Sequence, residues 1–407
     1  MSEIRYSAPP QPSDAPARPV EQAAGAAPAR RARNPLLDVL RGAAILGTLA
    51  TNVWIFATPG SEGGVASNMG GSFASFGDGV ESVVRLLANG KFLSLLTVLF
   101  GVGLAIQYAS AARRGQPWPG RYRWRALFLF AEGTVHFLLV FAWDVLMGYA
   151  VTALLVAWLL ARSQKVQDRV MWWALGLHLT LMAVLTVGLS AQGEEDTETG
   201  QDVIDVYAHG SWADQIGYRL DNVLVLRMEP VLSFGLLVFL FLLGVRLFRA
   251  GAFGDDETGR RIRTRLLRWG LGVGLPLSVL LPVAGSGFFL LDRYVAGPLT
   301  ALGYLGLVGW LTDRATRAGR TGPLLHGLTS VGRTALSGYV LQNVLCMLAA
   351  YGIGLGLTHR LGDGWWPWWP LALWTAVCAV LMVGSTLWLR RFSTGPLESF
   401  QRWVLRR

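Results

Sequence analysis

Gly133-Thr134-Val135-His136-Phe137-Leu138-Leu139-Val140-Phe141-Ala142-Trp143-Asp144-Val145-Leu146 sets a histidine and an aspartate in an otherwise apolar run. Glu132 precedes His136 by four residues, so on a helix the two share a face. An ionisable side chain at membrane depth costs about 2.5–3.5 kcal/mol on insertion scales. A chain that keeps three of them together there needs a polar interior, a wet cavity or a reaction.

Composition says that membrane depth is the right frame. Of 407 residues, 52% are apolar and only 15% charged, with 17 Trp and 49 Gly, the profile of a polytopic membrane protein rather than a soluble domain. The net charge of +10 would suit a nucleic-acid partner, but the charges fall in the gaps between apolar runs. The expected partner is therefore the lipid bilayer and not nucleic acid. Cys346 and Cys378 lie inside apolar runs and read as buried small hydrophobes. No Cys/His cluster has metal-ligand spacing, and no phosphate-binding glycine loop appears, so neither a metal nor a bound cofactor is expected.

A spanning helix needs about 20 mostly apolar residues. Ten segments meet this loosely: 36–57, 92–110, 125–142, 144–161, 170–190, 229–248, 269–290, 294–312, 334–357 and 369–389. The third and fourth are joined by almost nothing and should form a tight hairpin. Leu275-Pro276 and Leu281-Pro282 should interrupt the seventh. The fold class is thus an all-α polytopic bundle of about ten transmembrane helices.

Loop charge tests this count independently. With the N-terminus inside, the inner segments hold 29 Lys and Arg, while the outer ones hold only Arg85, Lys91, Arg219, Arg227, Arg293 and Arg360. Such a bias is what the positive-inside rule demands, and it predicts N-in/C-in in a plasma or inner membrane. Residues 1–33, rich in Ala, Pro and Arg without an apolar core, read as a disordered cytoplasmic tail. An N-terminal bundle (34–190), an acidic outer loop (191–222) and a C-terminal transmembrane domain (223–407) would follow. The outer segment 58–90 reads as a Gly- and Ser-rich loop. The acidic loop reads as a solvated connection or as a lid over an outward-facing cavity. Trp365-Trp366-Pro367-Trp368-Trp369 reads as an aromatic belt anchor.

The polar residues inside the spans are the candidate site. Asp38 and Arg41, three apart at the inner end of the first helix, form either a structural ion pair or a polar mouth for an anionic ligand. Asn52 falls about three turns on, near the same face. Lys91 sits at the outer end of the second span, where snorkelling is the plain alternative. His136 is the histidine with carboxylates beside it; Glu132 or Asp144 would hold one ring nitrogen and leave the other as a general base, or as an acyl carrier. A satisfied core histidine is the structural alternative.

The order of several motifs resembles the YeiB-like family of bacterial inner-membrane proteins, whose C-terminal half is a domain of unknown function. The matching stretches are Asp38-Val39-Leu40-Arg41-Gly42 with Asn52, Gly90-Lys91-Phe92, Gly133-Thr134-Val135-His136, Asp144-Val145-Leu146, Gly332-Arg333 through Gln342, and Gly395-Pro396-Leu397-Glu398. The resemblance implies a place in a superfamily of transmembrane acyltransferases. It therefore implies transfer of an acyl (acetyl) group from cytoplasmic acyl-CoA, as co-substrate, to an extracytoplasmic sugar, lipid or small-molecule acceptor. Catalytic roles would fall to His136, Glu132 and Asp144, and substrate binding to Asp38, Arg41, Asn52, Lys91, Arg333 and Gln342. Arg121, Arg123 and Arg125 would attract CoA phosphates. A homodimer is compatible with this reading. A small-molecule transporter or exporter is the alternative, for which broken helices would be the pointer.

Overall fold

The computed structural model describes residues 34–64, 75–192, 199–319 and 322–405; the N-terminal tail lies outside them. Residues 34–407 cluster as one compact unit. The helices, in order, are α1 (Pro35–Ala57), α2 (Phe76–Ala88), α3 (Lys91–Arg113), α4 (Tyr122–Leu139), α5 (Leu146–Leu160), α6 (Gln164–Gln192), α7 (Gln201–Ala208), α8 (Trp212–Asp221), α9 (Val223–Leu226) and α10 (Met228–Leu232). They continue with α11 (Phe234–Arg249), α12 (Glu257–Trp269), α13 (Leu275–Ala284), α14 (Phe289–Leu291), α15 (Gly297–Arg317), α16 (Pro323–Arg333), α17 (Ala335–Ala350), α18 (Leu357–Leu361), α19 (Trp368–Arg391) and α20 (Pro396–Val404). No strand occurs among the described residues.

The protein is a helical membrane bundle. Six helical stretches are long and apolar enough to cross a bilayer, and Leu146–Leu160 and Ala335–Ala350 are shorter apolar helices. The apolar side chains of the outermost helices point away from the core: the spanning window of α19 is only 11% buried, and that of α6 is 17% buried. Trp173, Leu177 and Val187 on α6 stand exposed. In water such faces would be an aggregation liability; against lipid they are the proper surface.

α1 is the axis. Asn34 caps it, its side chain accepting the Leu36 amide at 3.1 Å, and Pro35 occupies the first turn, where a missing N–H costs nothing. α3, α15, α16, α17 and α19 all pack on it. Glycine sets how closely the backbones approach: a Cβ on Gly332 would collide with the Asp38 carbonyl, and one on Gly42 with the Leu328 carbonyl. The α3–α11 crossing repeats this reciprocity through Gly101 and Gly244.

Two ends follow from the long-range bonds. Asn34 donates to Phe253 O, Arg121 to Leu405 O, Arg246 pairs with Asp168, and Arg263 with Asp313. At the opposite end the α1 exit meets the α4–α5 connection, α7, α8 and the segment after α17. The first end gathers the arginine-rich loops.

Several boundaries differ from the sequence reading. The segment 58–90 is not all loop: Ser75 and Asp78 form a reciprocal capping box that starts amphipathic α2. The third and fourth spans stop short at Leu139 and begin again at Leu146, leaving a six-residue connection that contains Asp144. The ninth, read as 334–357, is α17 and stops at Ala350, and α16 precedes it across Thr334. The seventh changes to a π-helical turn over Gly270–Gly274, directly before Leu275-Pro276. Pro276 has no N–H for the carbonyl four residues back, and a wide turn absorbs that defect. The eighth does the same over Asp292–Ala296, ahead of Pro298. Pro298 leaves the Tyr294 carbonyl without its helical donor, and His178 Nε2 lies 3.1 Å from that oxygen. His178 is thus a core histidine serving a proline defect.

Candidate functional site

α4 delivers His136 in its last turn, and the connection after it delivers Asp144. His136 is 2% exposed and Asp144 1%. His136 Nδ1 lies 3.2 Å from Asp144 Oδ1, an ion-pair distance outside good hydrogen-bond alignment. Asp144 is itself held: Oδ2 accepts the Leu146 amide at 3.0 Å, starting α5, and Tyr339 OH donates to Oδ1 at 3.3 Å. The Tyr339 ring meets the imidazole edge-on, with centroids 5.3 Å apart. Asn343, one turn along α17, turns its amide nitrogen to His136 Nε2 at 3.3 Å. An imidazole that accepts at Nε2 carries its proton on Nδ1, facing the carboxylate.

The tight fit of this group depends on Gly133. A Cβ there would stand 2.8 Å from Asp144 Oδ2 and 2.8 Å from the Met147 amide nitrogen, so only glycine lets α5 come this close.

Asp144 also borders a cavity of about 40 Å³, room for a few waters, together with Thr97, Tyr149, Glu229, Arg293 and Tyr294. Most of its remaining lining is apolar. On one wall Glu229 Oε1 accepts Arg293 Nη2 at 2.7 Å and Tyr294 OH at 2.8 Å. On another, Tyr149 OH and Thr97 Oγ1 are 2.6 Å apart.

The connection that carries Asp144 is clamped from above. Glu62, 1% exposed, meets Arg219 through both oxygens, at 2.9 and 3.2 Å. Glu62 also accepts Tyr207 OH at 2.7 Å and the Ala142 amide at 2.9 Å, while its carbonyl takes Trp143 Nε1. Arg219 in turn donates to the Leu138 and Val140 carbonyls, which are orphans of the α4 C-terminus. The described part of the acidic loop is therefore packed onto the hairpin rather than free in solvent. At its exposed N-cap, hydrogen bonds from the Ser211 hydroxyl and amide hold the Asp214 carboxyl below its usual range.

The other candidate residues are dispersed. Asp38 and Arg41 pair at 3.4 Å near the arginine-rich end, with Arg41 beside Gly103 of α3. Asn52 is buried further along α1. Lys91 is fully buried in an ion pair with Asp292 at 3.2 Å, inside the second π turn; burial in a pair replaces the snorkelling alternative. Arg333 reaches the Ser393 carbonyl. Glu132 makes no bond to His136; both of its oxygens are buried without a partner among the described residues, as are both amide atoms of Gln342. Buried polar atoms of that kind ask for water or ligand. No group of three His, Cys, Asp or Glu able to hold a metal occurs among the described residues.

Sequence reasoning missed Tyr339, Asn343, Glu62, Arg227 and Glu229 as site residues. Tyr339 lies within a quoted motif and Asn343 one residue beyond it. Glu62 lies in the Gly- and Ser-rich segment 58–90, with nothing local to mark it.

Residues 247–407 match the family described as "Protein of unknown function (DUF418)". The chain is 28% identical over 382 residues to "Uncharacterized protein YxaH" of Bacillus subtilis (strain 168), covering 89% of this chain and 92% of that protein. It is 26% identical over 382 residues to "Uncharacterized protein YeiB" of Escherichia coli (strain K12), covering 90% and 94%. His136 and Asp144 precede the DUF418 match, whereas Tyr339 and Asn343 fall within it. The site is assembled across that boundary.

Proposed function

From a chain that belongs to the YeiB-like family and keeps a buried His136–Asp144 pair, we propose an integral-membrane acyltransferase. The observation that carries the reading is the imidazole itself. It is almost fully buried, its Nδ1 lies 3.2 Å from a carboxylate oxygen, and that carboxylate borders a cavity. In the proposed reaction Nε2 takes the proton of an acceptor hydroxyl or amine, displacing the Asn343 amide. The freed nucleophile attacks the thioester carbonyl of acyl-CoA, the C–S bond breaks, and the CoA thiolate leaves with the proton from His136. Asp144 stabilises the imidazolium formed between the two steps.

The arginine-rich end faces the cytoplasm of an inner or plasma membrane in this reading, giving N-in/C-in. Donor phosphates would meet Arg121, Arg123 and Arg125 there. Eleven residues of helix, about 17 Å, separate Arg125 from His136. The thioester arm must therefore extend into the bundle, past α1 with Arg41 and Asn52. The acceptor would be a sugar, lipid or small molecule arriving from the other face.

The test is purified protein in proteoliposomes with acyl-labelled CoA, comparing wild type with His136→Ala. Transfer of label, or release of CoA thiol, should fall to background in the variant. Undiminished transfer would end the proposal.

One observation favours a second reading, transport of a small molecule. The seventh and eighth passes both change to π turns, and the buried Lys91–Asp292 pair sits in one of them; interrupted helices at charged sites are a feature of transporters. Substrate flux in proteoliposomes without any acyl donor separates the two.

A further inference from the structure

Three arginines are drawn in from the connections at the Glu62 end of the bundle, and two are saturated by the chain itself. Arg219 spends its guanidinium on Glu62 and two carbonyls. Arg293 spends its own on Glu229, Tyr294 and Asn89. Arg227 differs. Its Nη1 donates to the Asp144 carbonyl at 2.9 Å, and its guanidinium carbon lies 3.9 Å over the Phe137 ring. Its Nε and Nη2 are both buried, and neither has a partner among the described residues.

Those two atoms form the lateral edge of the guanidinium, the edge that Arg219 presents to both oxygens of Glu62. Two parallel N–H bonds from such an edge match the two oxygens of a carboxylate or phosphate. Two buried guanidinium donors on a half-buried side chain are costly when they have left water and found no acceptor among the described residues. Asp144 does not fill the gap: its carboxylate oxygens face His136, Tyr339 and the Leu146 amide, and it offers Arg227 only its carbonyl. Stacking on Phe137, next to His136 in sequence, holds the guanidinium plane in place.

We propose that Arg227 is an oxyanion-binding residue, and that the ligand of this site carries a carboxylate or phosphate group held by the Nε–Nη2 edge beside the His136–Asp144 pair. The ligand is thus anionic, free or as the headgroup of an acidic lipid. The proposal rests on the contacts of Arg227 and not on acyl transfer.

The experiment uses full-length protein in phosphatidylcholine nanodiscs and reads thermal unfolding. One arm titrates inorganic phosphate against chloride at matched ionic strength. The other replaces part of the phosphatidylcholine with phosphatidylglycerol. Wild type should gain a saturable rise in Tm in at least one arm: in the first if the ligand is a free anion, in the second alone if it is a lipid headgroup. Arg227→Gln should lose that rise. Arg227→Lys keeps one charged donor for the Asp144 carbonyl and should fold, yet respond with about tenfold weaker apparent affinity, the loss of one charge-assisted bond. No rise in either arm, or a rise equal in wild type and Arg227→Lys, overturns the proposal, even where Arg227→Gln fails to fold. The binding readout needs no acyl donor and the transfer assay does not vary Arg227, so a failed transfer assay and a failed binding assay remain distinguishable.

Discussion

Gly133 decides whether the imidazole and the carboxylate can meet. Gly133→Ala pushes a methyl against Asp144 Oδ2 and the Met147 amide, and backbone on that side cannot rotate out of the way. Overpacking of this kind costs about 1–3 kcal/mol. The variant should unfold at lower temperature and lose transfer activity out of proportion to the fraction unfolded, since the displaced oxygen is the one beside the α5 cap. A lowered Tm with full specific activity would mean that the 3.2 Å His136–Asp144 contact does not matter to function. Asp144→Asn tests the charge separately: the side chain keeps its shape but loses its anion, so transfer should fall steeply while Tm changes less than in Gly133→Ala. His136 and Asp144 were legible in the sequence because ionisable groups inside apolar runs are costly and therefore informative. Asn343, Tyr339 and Arg227 were not. An amide or a phenol inside a helix is unremarkable by composition, and Arg227 counted only as one outer-segment charge. What singles them out is a partner more than 80 residues away in the chain, or the lack of one.

α8 acts on the site without touching it, through Arg219. Breaking one side of a buried ion pair costs about 3–5 kcal/mol because the other charge stays behind unpaired. Glu62→Gln or Arg219→Met should each lower stability by about that much, while the double variant should recover part of it. Chemical or thermal unfolding of all three checks this; strictly additive losses would show that the two residues are uncoupled. Acid should loosen the same element. The Asp214 carboxyl is held below its ordinary range by Ser211, so its contribution to the α8 cap is present above the unfolded carboxylate pKa and is lost as pH falls through the lower folded value. Amide exchange in residues 211–221 should quicken in that acidic window and stay flat above it; an Asp214→Asn variant should show no such step. The sequence left this loop open between solvated connection and lid, since Glu62 and Arg219 are 157 residues apart and nothing local links them. The start of α2 was legible in principle, from a capping box before an amphipathic run, but the glycines and serines ahead of it dominated the reading.

Across the whole molecule, helix number and loop charge constrain each other. The apolar runs sit close to the observed helices, and they differ from them at helix ends and at the π turns ahead of Pro276 and Pro298. Loops rich in Lys and Arg gather at the end that holds Phe253, Asp313 and Leu405, and the sparse ones at the end that holds Glu62. Inserting or deleting a single pass in the middle would mix the two sets, so the charge segregation argues for an even number of crossings. The resulting topology can be tested with single thiols in a background carrying Cys346→Ser and Cys378→Ser. His209→Cys, at a side chain 78% exposed, should react with a membrane-impermeant maleimide added to intact cells. Glu257→Cys, also 78% exposed but at the arginine-rich end, should react only after the membrane is opened. The reverse pattern would invert the bundle, with acyl-CoA then on the wrong side for Arg121, Arg123 and Arg125. Equal labelling of both sites in sealed cells would mean that the expected ten passes do not all cross.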